Sequence, residues 1–188
     1  MNTDRPLILA STSPRRQFLM KEAGFHFQTI KPEEDESFPA SIPPEIVPRY
    51  LAEKKAKSFI GKIHNEIVIT ADTVVILDNT ILNKPEDPAE AIQMLSTLSG
   101  RTHTVITAVC LMAKEKQDLF DDCTEVTFKK LSEEEIRFYV DHFKPFDKAG
   151  AYGAQDWLGM VGIEKINGSY FTVMGMPMHK VYDHLKRF

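Results

Sequence analysis

Residues 11–16 read Ser-Thr-Ser-Pro-Arg-Arg, three hydroxyls and two guanidinium groups within six positions. Hydroxyls donate to phosphate oxygens and an arginine fork matches two of them at once, so Ser11, Thr12, Ser13, Arg15 and Arg16 carry the chemistry of an anion cradle. The run leaves the apolar stretch PLILAS at 6–11. A strand turning sharply into a helix there brings backbone amides and the positive helix end to the same corner. The residues also fit a plain capped helix with solvated arginines, because a complete P-loop pattern is absent.

Carboxylates form the second group. Asp35 and Glu36 lie in the acidic loop KPEEDESFPASIPP at 31–44, and Asp72 interrupts an apolar, β-branched run where an unpaired carboxylate is costly. Acids gathered near phosphate-binding groups suit Mg²⁺ or Mn²⁺, hard cations that take oxygen ligands and bridge protein to phosphate; Glu36 and Asp72 are the candidate ligands. For the acidic run a solvated loop is the competing reading, and for Asp72 a locally paired acid at a strand end. Lys54, Lys55 and Lys57 crowd one stretch that also reads as a solvated helix face. Lys84 precedes Pro85, which restrains its backbone and aims its amine. In DKAGAYGAQ at 147–155, small residues allow close backbone approach and Gln155 offers an amide that both donates to and accepts from a base edge; a tight surface loop is the alternative. Trp157 either stacks on a base or packs as an ordinary aromatic.

These groups need elements to hold them. PLILAS reads as a buried strand, Ser13 and Pro14 open a helix that ends at Gly24, and FHFQTI alternates like a second strand. A helix is expected over EIVPRYLAEKKAKSFIGK. EIVITADTVVIL reads as two β-branched runs interrupted at Ala71-Asp72-Thr73, and Asp78-Asn79 turns the chain back as a hairpin. Asp87 and Pro88 start a helix closed by Gly100. THTVITAVCLMA and DCTEVTFKKL are expected as neighbouring strands, and Ser132 with Glu135 forms a capping box for the helix EEEIRFYVDHF. MVGIEKI and SYFTVMG are expected as strands around an Asn167-Gly168 hairpin turn, with Pro177 opening a terminal helix. Alternating strands and helices followed by hairpins give an α/β class with a mixed sheet flanked by helices.

At 188 residues with 43% hydrophobic and 27% charged residues, the chain has the makings of one core, and a single domain over 1–188 is expected. A net charge of −4 argues against binding a nucleic-acid duplex through a basic face. No apolar run approaches the roughly 18 residues of a membrane span, and PLILAS meets charge too soon for a signal peptide, so a cytoplasmic location is expected. Cys110 and Cys123 form no metal-ligand spacing and read as structural thiols. Neither HExxH nor a Gly-x-Ser-x-Gly elbow occurs, which disfavours zinc and serine hydrolases.

Taken together, the motifs LILASTSPRR, the Asp-Glu pair at 35 and 36, LAEKKA at 51–56, ADTVV at 71–75, NKP at 83–85, SGRTHTVITAV at 99–109, DKAGAYGAQ at 147–155 and INGSYFTVMGMP at 166–177 resemble the Maf family of nucleoside triphosphate pyrophosphatases. The resemblance implies an elongated α/β fold related to inosine triphosphate pyrophosphatases, with two lobes around a central cleft. It also implies hydrolysis between the α- and β-phosphates, giving a nucleoside monophosphate and pyrophosphate with a divalent cation. The family's functional positions fall on Ser11, Ser13, Arg15, Arg16, Glu36, Lys55, Asp72, Thr73, Lys84 and Gln155, with Asp72 as proton acceptor. Arg15, Thr73 and Gln155 match the branch acting on dTTP and UTP rather than the branch acting on 7-methyl-GTP. Asn83, Met176 and Met178 depart from the common pattern without removing a functional group. A non-catalytic nucleotide-binding regulator of cell division is the alternative class. The expected partner is a small-molecule nucleoside triphosphate, with no nucleic acid and no membrane; a homodimer stays open.

Overall fold

The computed structural model describes residues 4–33 and 35–188, so Glu34 of the acidic run lies outside the described residues. The chain runs β1 (Leu7–Ala10), α1 (Pro14–Glu22), β2 (Phe27–Ile30), α2 (Val47–Lys57), β3 (Ile67–Leu77), β4 (Thr80–Leu82), α3 (Pro88–Leu98), β5 (Thr102–Met112), β6 (Gln117–Phe128), α4 (Glu133–Phe143), α5 (Trp157–Gly162), β7 (Ile163–Asn167), α6 (Tyr170–Val173) and α7 (Met178–Arg187). A 3₁₀ turn covers Ala149–Ala151. The seven strands make one mixed sheet in the order β2-β1-β3-β5-β6-β7, with β4 on β3. β1 is parallel to both β2 and β3, whereas β3–β4 and β6–β7 are antiparallel. This is the α/β class with a mixed sheet flanked by helices.

Helix ends follow the expected chemistry. Ser13 accepts from the Arg16 amide, Asp87 from the Glu90 amide at 2.8 Å, and Ser132 and Glu135 close a reciprocal capping box. Asp78 and Asn79 both take positive φ, as the tight β3–β4 turn requires.

Three expectations change. The 67–77 segment is one continuous strand, because Asp72 is accommodated inside it by a partner rather than breaking it. Residues 157–162 are helical, so of the strand expected at 160–166 only 163–166 remains, and it runs on to Asn167. SYFTVMG is no strand either. Gly168 sits against Thr124, whose hydroxyl accepts from the Ser169 amide at 2.9 Å and donates to the Ser169 carbonyl at 3.2 Å, and the chain then winds into α6. β7 finds its antiparallel partner in β6 instead of in a hairpin.

The chain divides into two compact units. The first contains the residues up to Asp72, Thr107–Asp122 and Gly175–Phe188, and the second Thr73–Ile106 and Cys123–Met174. Ala10, Ala52, Ala56, Phe59, Val68 and Ala108 lie in the core of the first. Leu95, Leu98, Val126, Phe128, Tyr139 and Leu158 lie in that of the second. Each core is apolar area withdrawn from water, the dominant favourable term in folding. Among the described residues no helix is long and apolar enough to cross a membrane.

Candidate functional site

In the first unit the corner between β1 and α1 gathers the hydroxyls. Ser11 is buried and its Oγ accepts from the Ser13 amide at 3.2 Å. Ser13 Oγ accepts in turn from the Arg16 amide. Two corner amides are therefore already satisfied by serines, and it is the hydroxyl protons that are left to meet an anion.

Arg16 is aimed inward. Its Nε donates to the Gly175 carbonyl at 2.9 Å and its Nη1 to the Ala71 carbonyl at 2.8 Å. Burial and the neighbouring Arg15 charge lower its pKa, against the pull of Asp72 and Glu36. Arg16 thus ties α1 to the strand position beside Asp72 and to the segment before α7.

Asp72, 6% exposed, sits inside β3 and receives the Lys55 ammonium at 2.6 Å. Lys55 is 5% exposed and comes from the same face of α2 as Leu51, Ala52 and Ala56. That face is itself pinned to β3, where Thr70 Oγ1 donates to the Ala52 carbonyl at 2.6 Å. Lys55 Nζ also reaches Glu36 Oε1 at 3.1 Å. Next to it, Lys54 pairs with Asp35 and donates to the Ser37 carbonyl at 3.1 Å. Consecutive lysines on a helix therefore hold consecutive acids of the loop after β2. Lys57, by contrast, is exposed and pairs with Glu53 on its own helix. Burial pushes the Asp72 carboxyl up from its ordinary range, and Lys55 and Arg16 pull against that rise. An interior acid with a raised pKa and a specific cation beside it has the character of a functional carboxylate.

Among the described residues no three or more His, Cys, Asp or Glu side chains gather to hold a metal ion. Two carboxylates, Asp72 and Glu36, do converge on one ammonium. Such a donor set suits a hard cation that takes one or two carboxylates and draws its other ligands from water and phosphate. Mg²⁺ or Mn²⁺ fits these residues.

The second unit holds Thr73, Lys84 and Gln155. Thr73 is half-buried within β3, and Lys84 is exposed after β4. The Gly150 amide donates to the Asn83 carbonyl at 3.2 Å, fixing the backbone just before Lys84. Gln155 lies in a turn closed by the Asp156 amide on the Gly153 carbonyl at 3.1 Å, and its Oε1 is buried with no hydrogen-bond partner among the described residues. An orphaned interior acceptor costs on the order of 1–3 kcal/mol, a cost relieved when a ligand donates to it. Below this turn, α5 lies so close that a Cβ on Gly159 would fall 2.0 Å from the Ala154 carbonyl oxygen. Trp157 packs edge-on against Phe138 with centroids 4.9 Å apart, the ordinary aromatic outcome. Cys110 is buried, its thiol pushed up to about 12, while Cys123 is exposed, so only one of the two matches the expected buried thiol.

Sequence reasoning did not single out Tyr139, Asp156, or the carbonyls of Ala71 and Gly175 that receive Arg16. The apolar spacing of Ile136, Tyr139 and Val140 marks the face that buries Tyr139. The carbonyl acceptors leave no mark in residue type.

Residues 6–188 match the family described as Maf-like protein. A dTTP/UTP pyrophosphatase of Flavobacterium psychrophilum is 47% identical over 180 residues, 95% of this chain and 92% of that one. The dTTP/UTP pyrophosphatase of Porphyromonas gingivalis is 45% identical over 186 residues, 97% and 94% of the two chains. That of Bacteroides fragilis is 47% identical over 190 residues, 99% and 98%. The solved structure of the Staphylococcus aureus Ham1 protein superposes with a TM-score of 0.46 at 14% identity, over 66% of this chain and 72% of that one.

Proposed function

Because the chain belongs to the Maf family, we propose that it is a nucleoside triphosphate pyrophosphatase hydrolysing dTTP and UTP to the monophosphate and pyrophosphate. The observation that carries an enzymatic role is the carboxylate of Asp72, kept inside a core strand and paired with a buried lysine. A protein that only binds nucleotides has no need of an interior base, and such a carboxylate is costly to keep.

In this reading water attacks the α-phosphorus, the bond to the oxygen bridging α- and β-phosphorus breaks, and pyrophosphate leaves. Asp72 accepts the proton of the attacking water. Lys55 and Lys84 offset the charge that moves onto the departing pyrophosphate. Ser11, Ser13 and Arg16 bind phosphate oxygens, and Arg16 also orders the strand at Ala71. Glu36 and Asp72 would hold Mg²⁺ or Mn²⁺, which would supply polarisation of the α-phosphate. Arg15, Thr73 and Gln155 select the base: the Gln155 Oε1 that lacks a donor accepts the N3–H shared by uracil and thymine, which cytosine does not carry. In the same reading the chain works in the cytoplasm as one catalytic domain, and a homodimer is the assembly to be checked by light scattering.

Pyrophosphate release measured across dTTP, UTP, CTP, 7-methyl-GTP and purine triphosphates, with Mg²⁺ and with Mn²⁺, tests the assignment. Preference for dTTP and UTP is expected. Tight binding without release would make the chain a regulator, and preference for 7-methyl-GTP would move it to the other branch.

A further inference from the structure

We infer that Tyr139 and Asp156 are positioning residues for base selection, clamping the turn that presents Gln155; the inference rests on the reading of Gln155 as the base contact. Tyr139, fully buried on α4, uses its hydroxyl twice. It accepts from the Gly153 amide at 3.2 Å and donates to Asp156 Oδ2 at 2.8 Å. With the bond from the Asp156 amide to the Gly153 carbonyl, three hydrogen bonds close a ring around the four residues 153–156.

Asp156 stands at the N-cap of α5 with extended backbone, the place where an aspartate ordinarily caps its helix. Its carboxylate makes no cap bond there. It is turned to Tyr139, with the Lys148 ammonium 3.6 Å away. The diversion gives up a local stabilising contact for a bond to another helix.

The clamp reaches Gln155 through Gly153. A Cβ built on Gly153 would lie 2.7 Å from Asp156 Oδ2 and 2.9 Å from Gln155 Nε2, so the two side chains share the space above that glycine. The Asp156 carboxylate is therefore one wall beside the Gln155 amide, and the Tyr139 hydroxyl sets where that wall stands. Burial and the adjacent Asp156 charge raise the phenol's pKa, which keeps its proton available for the donated bond. Releasing the wall frees the Gln155 amide to rotate, and an amide that rotates presents a donor as readily as an acceptor.

The test compares UTP, dTTP and CTP kinetics for the full-length wild type, Tyr139→Phe, Asp156→Ala and Asp156→Asn. Tyr139→Phe keeps the ring and its packing, so its KM for UTP and dTTP is expected to rise about tenfold, the worth of one hydrogen bond, with kcat held. The CTP value stays in place, so the UTP-to-CTP preference falls by the same factor. Asp156→Ala matches Tyr139→Phe, a Tyr139→Phe/Asp156→Ala double variant adds nothing further, and Asp156→Asn, which can still accept from the phenol, recovers most of the lost preference. Equal losses on all three nucleotides, with a lowered melting temperature, would reduce the pair to a structural role and overturn the clamp. A discriminating wild type with an unchanged Tyr139→Phe also overturns the clamp while sparing the Gln155 reading. A wild type indifferent between UTP and CTP overturns both.

Discussion

Arg16 and Ala71 are joined by a 2.8 Å hydrogen bond from guanidinium to main-chain carbonyl, across 55 residues of sequence. The residue after Ala71 is Asp72, so the bond fixes the strand at the point where the interior acid leaves it. A second arm of the same guanidinium holds the Gly175 carbonyl. Arg16 is a construction joint as much as a charge.

Replacing Arg16 with Gln should therefore lower stability as well as turnover. Two interior carbonyls lose a charged donor, which costs about 2–4 kcal/mol in total. Urea unfolding and steady-state kinetics on one preparation check this. A raised KM with unaltered stability would mean that Arg16 serves only the phosphates.

Lys55→Met leaves Asp72 inside the strand without its closest cation. Breaking a buried pair from one side costs about 3–5 kcal/mol, whereas removing both charges costs far less. The double variant Lys55→Met/Asp72→Asn is therefore expected to be more stable than Lys55→Met alone, although inactive. A double variant no more stable than the single one would show that the pair is not coupled in the folded chain.

Chelation of divalent cations should stop pyrophosphate release, and Mg²⁺ or Mn²⁺ should restore it. Glu36→Gln should raise the cation concentration giving half the maximal rate by about tenfold or more. Mn²⁺ affinity read by electron paramagnetic resonance gives an answer independent of turnover. An unchanged affinity removes Glu36 from the ligand set.

His103 sets a pH limit. Its Nε2 is 2.7 Å from the Tyr152 hydroxyl, and burial lowers the imidazole from 6.5 to about 4. The unfolded chain protonates this ring while the fold keeps it neutral, so the stability it confers is whole above pH 6.5 and drains away as pH falls toward 4. The loss amounts to about 3 kcal/mol. Urea midpoints taken across that range should decline less steeply for His103→Gln than for the wild type; parallel declines would acquit the histidine.

Much of the fold was legible because local chemistry decided it. Ser13-Pro14, Asp87-Pro88 and the Ser132/Glu135 pair start helices by satisfying amides within a turn, and Asp78-Asn79 supplies positive φ where the hairpin needs it. Asn167-Gly168 carries an equally good turn signal, yet the Thr124 hydroxyl, 45 residues away, claims both backbone groups of Ser169 and converts the return strand into a helix. The candidate site divides in the same way. Hydroxyls, acids and lysines could be picked by type, but three lysines within four positions looked alike until α2 buried Lys55 and left Lys57 in water. The partners of Arg16 and the Tyr139–Asp156 bond are created by folding alone.

Gly159, in the third position of α5, leaves no room for even a methyl group against Ala154. Every substitution there must lift the helix off the turn that carries Gln155, whatever its polarity or charge. A library of variants selected for activity would reject alanine at 159 as firmly as it rejects asparagine at 72. The two rejections have different origins. Restoring nothing chemical would rescue position 159, whereas a compensating shortening of the neighbouring backbone would, so intolerance at that site measures clearance and not participation.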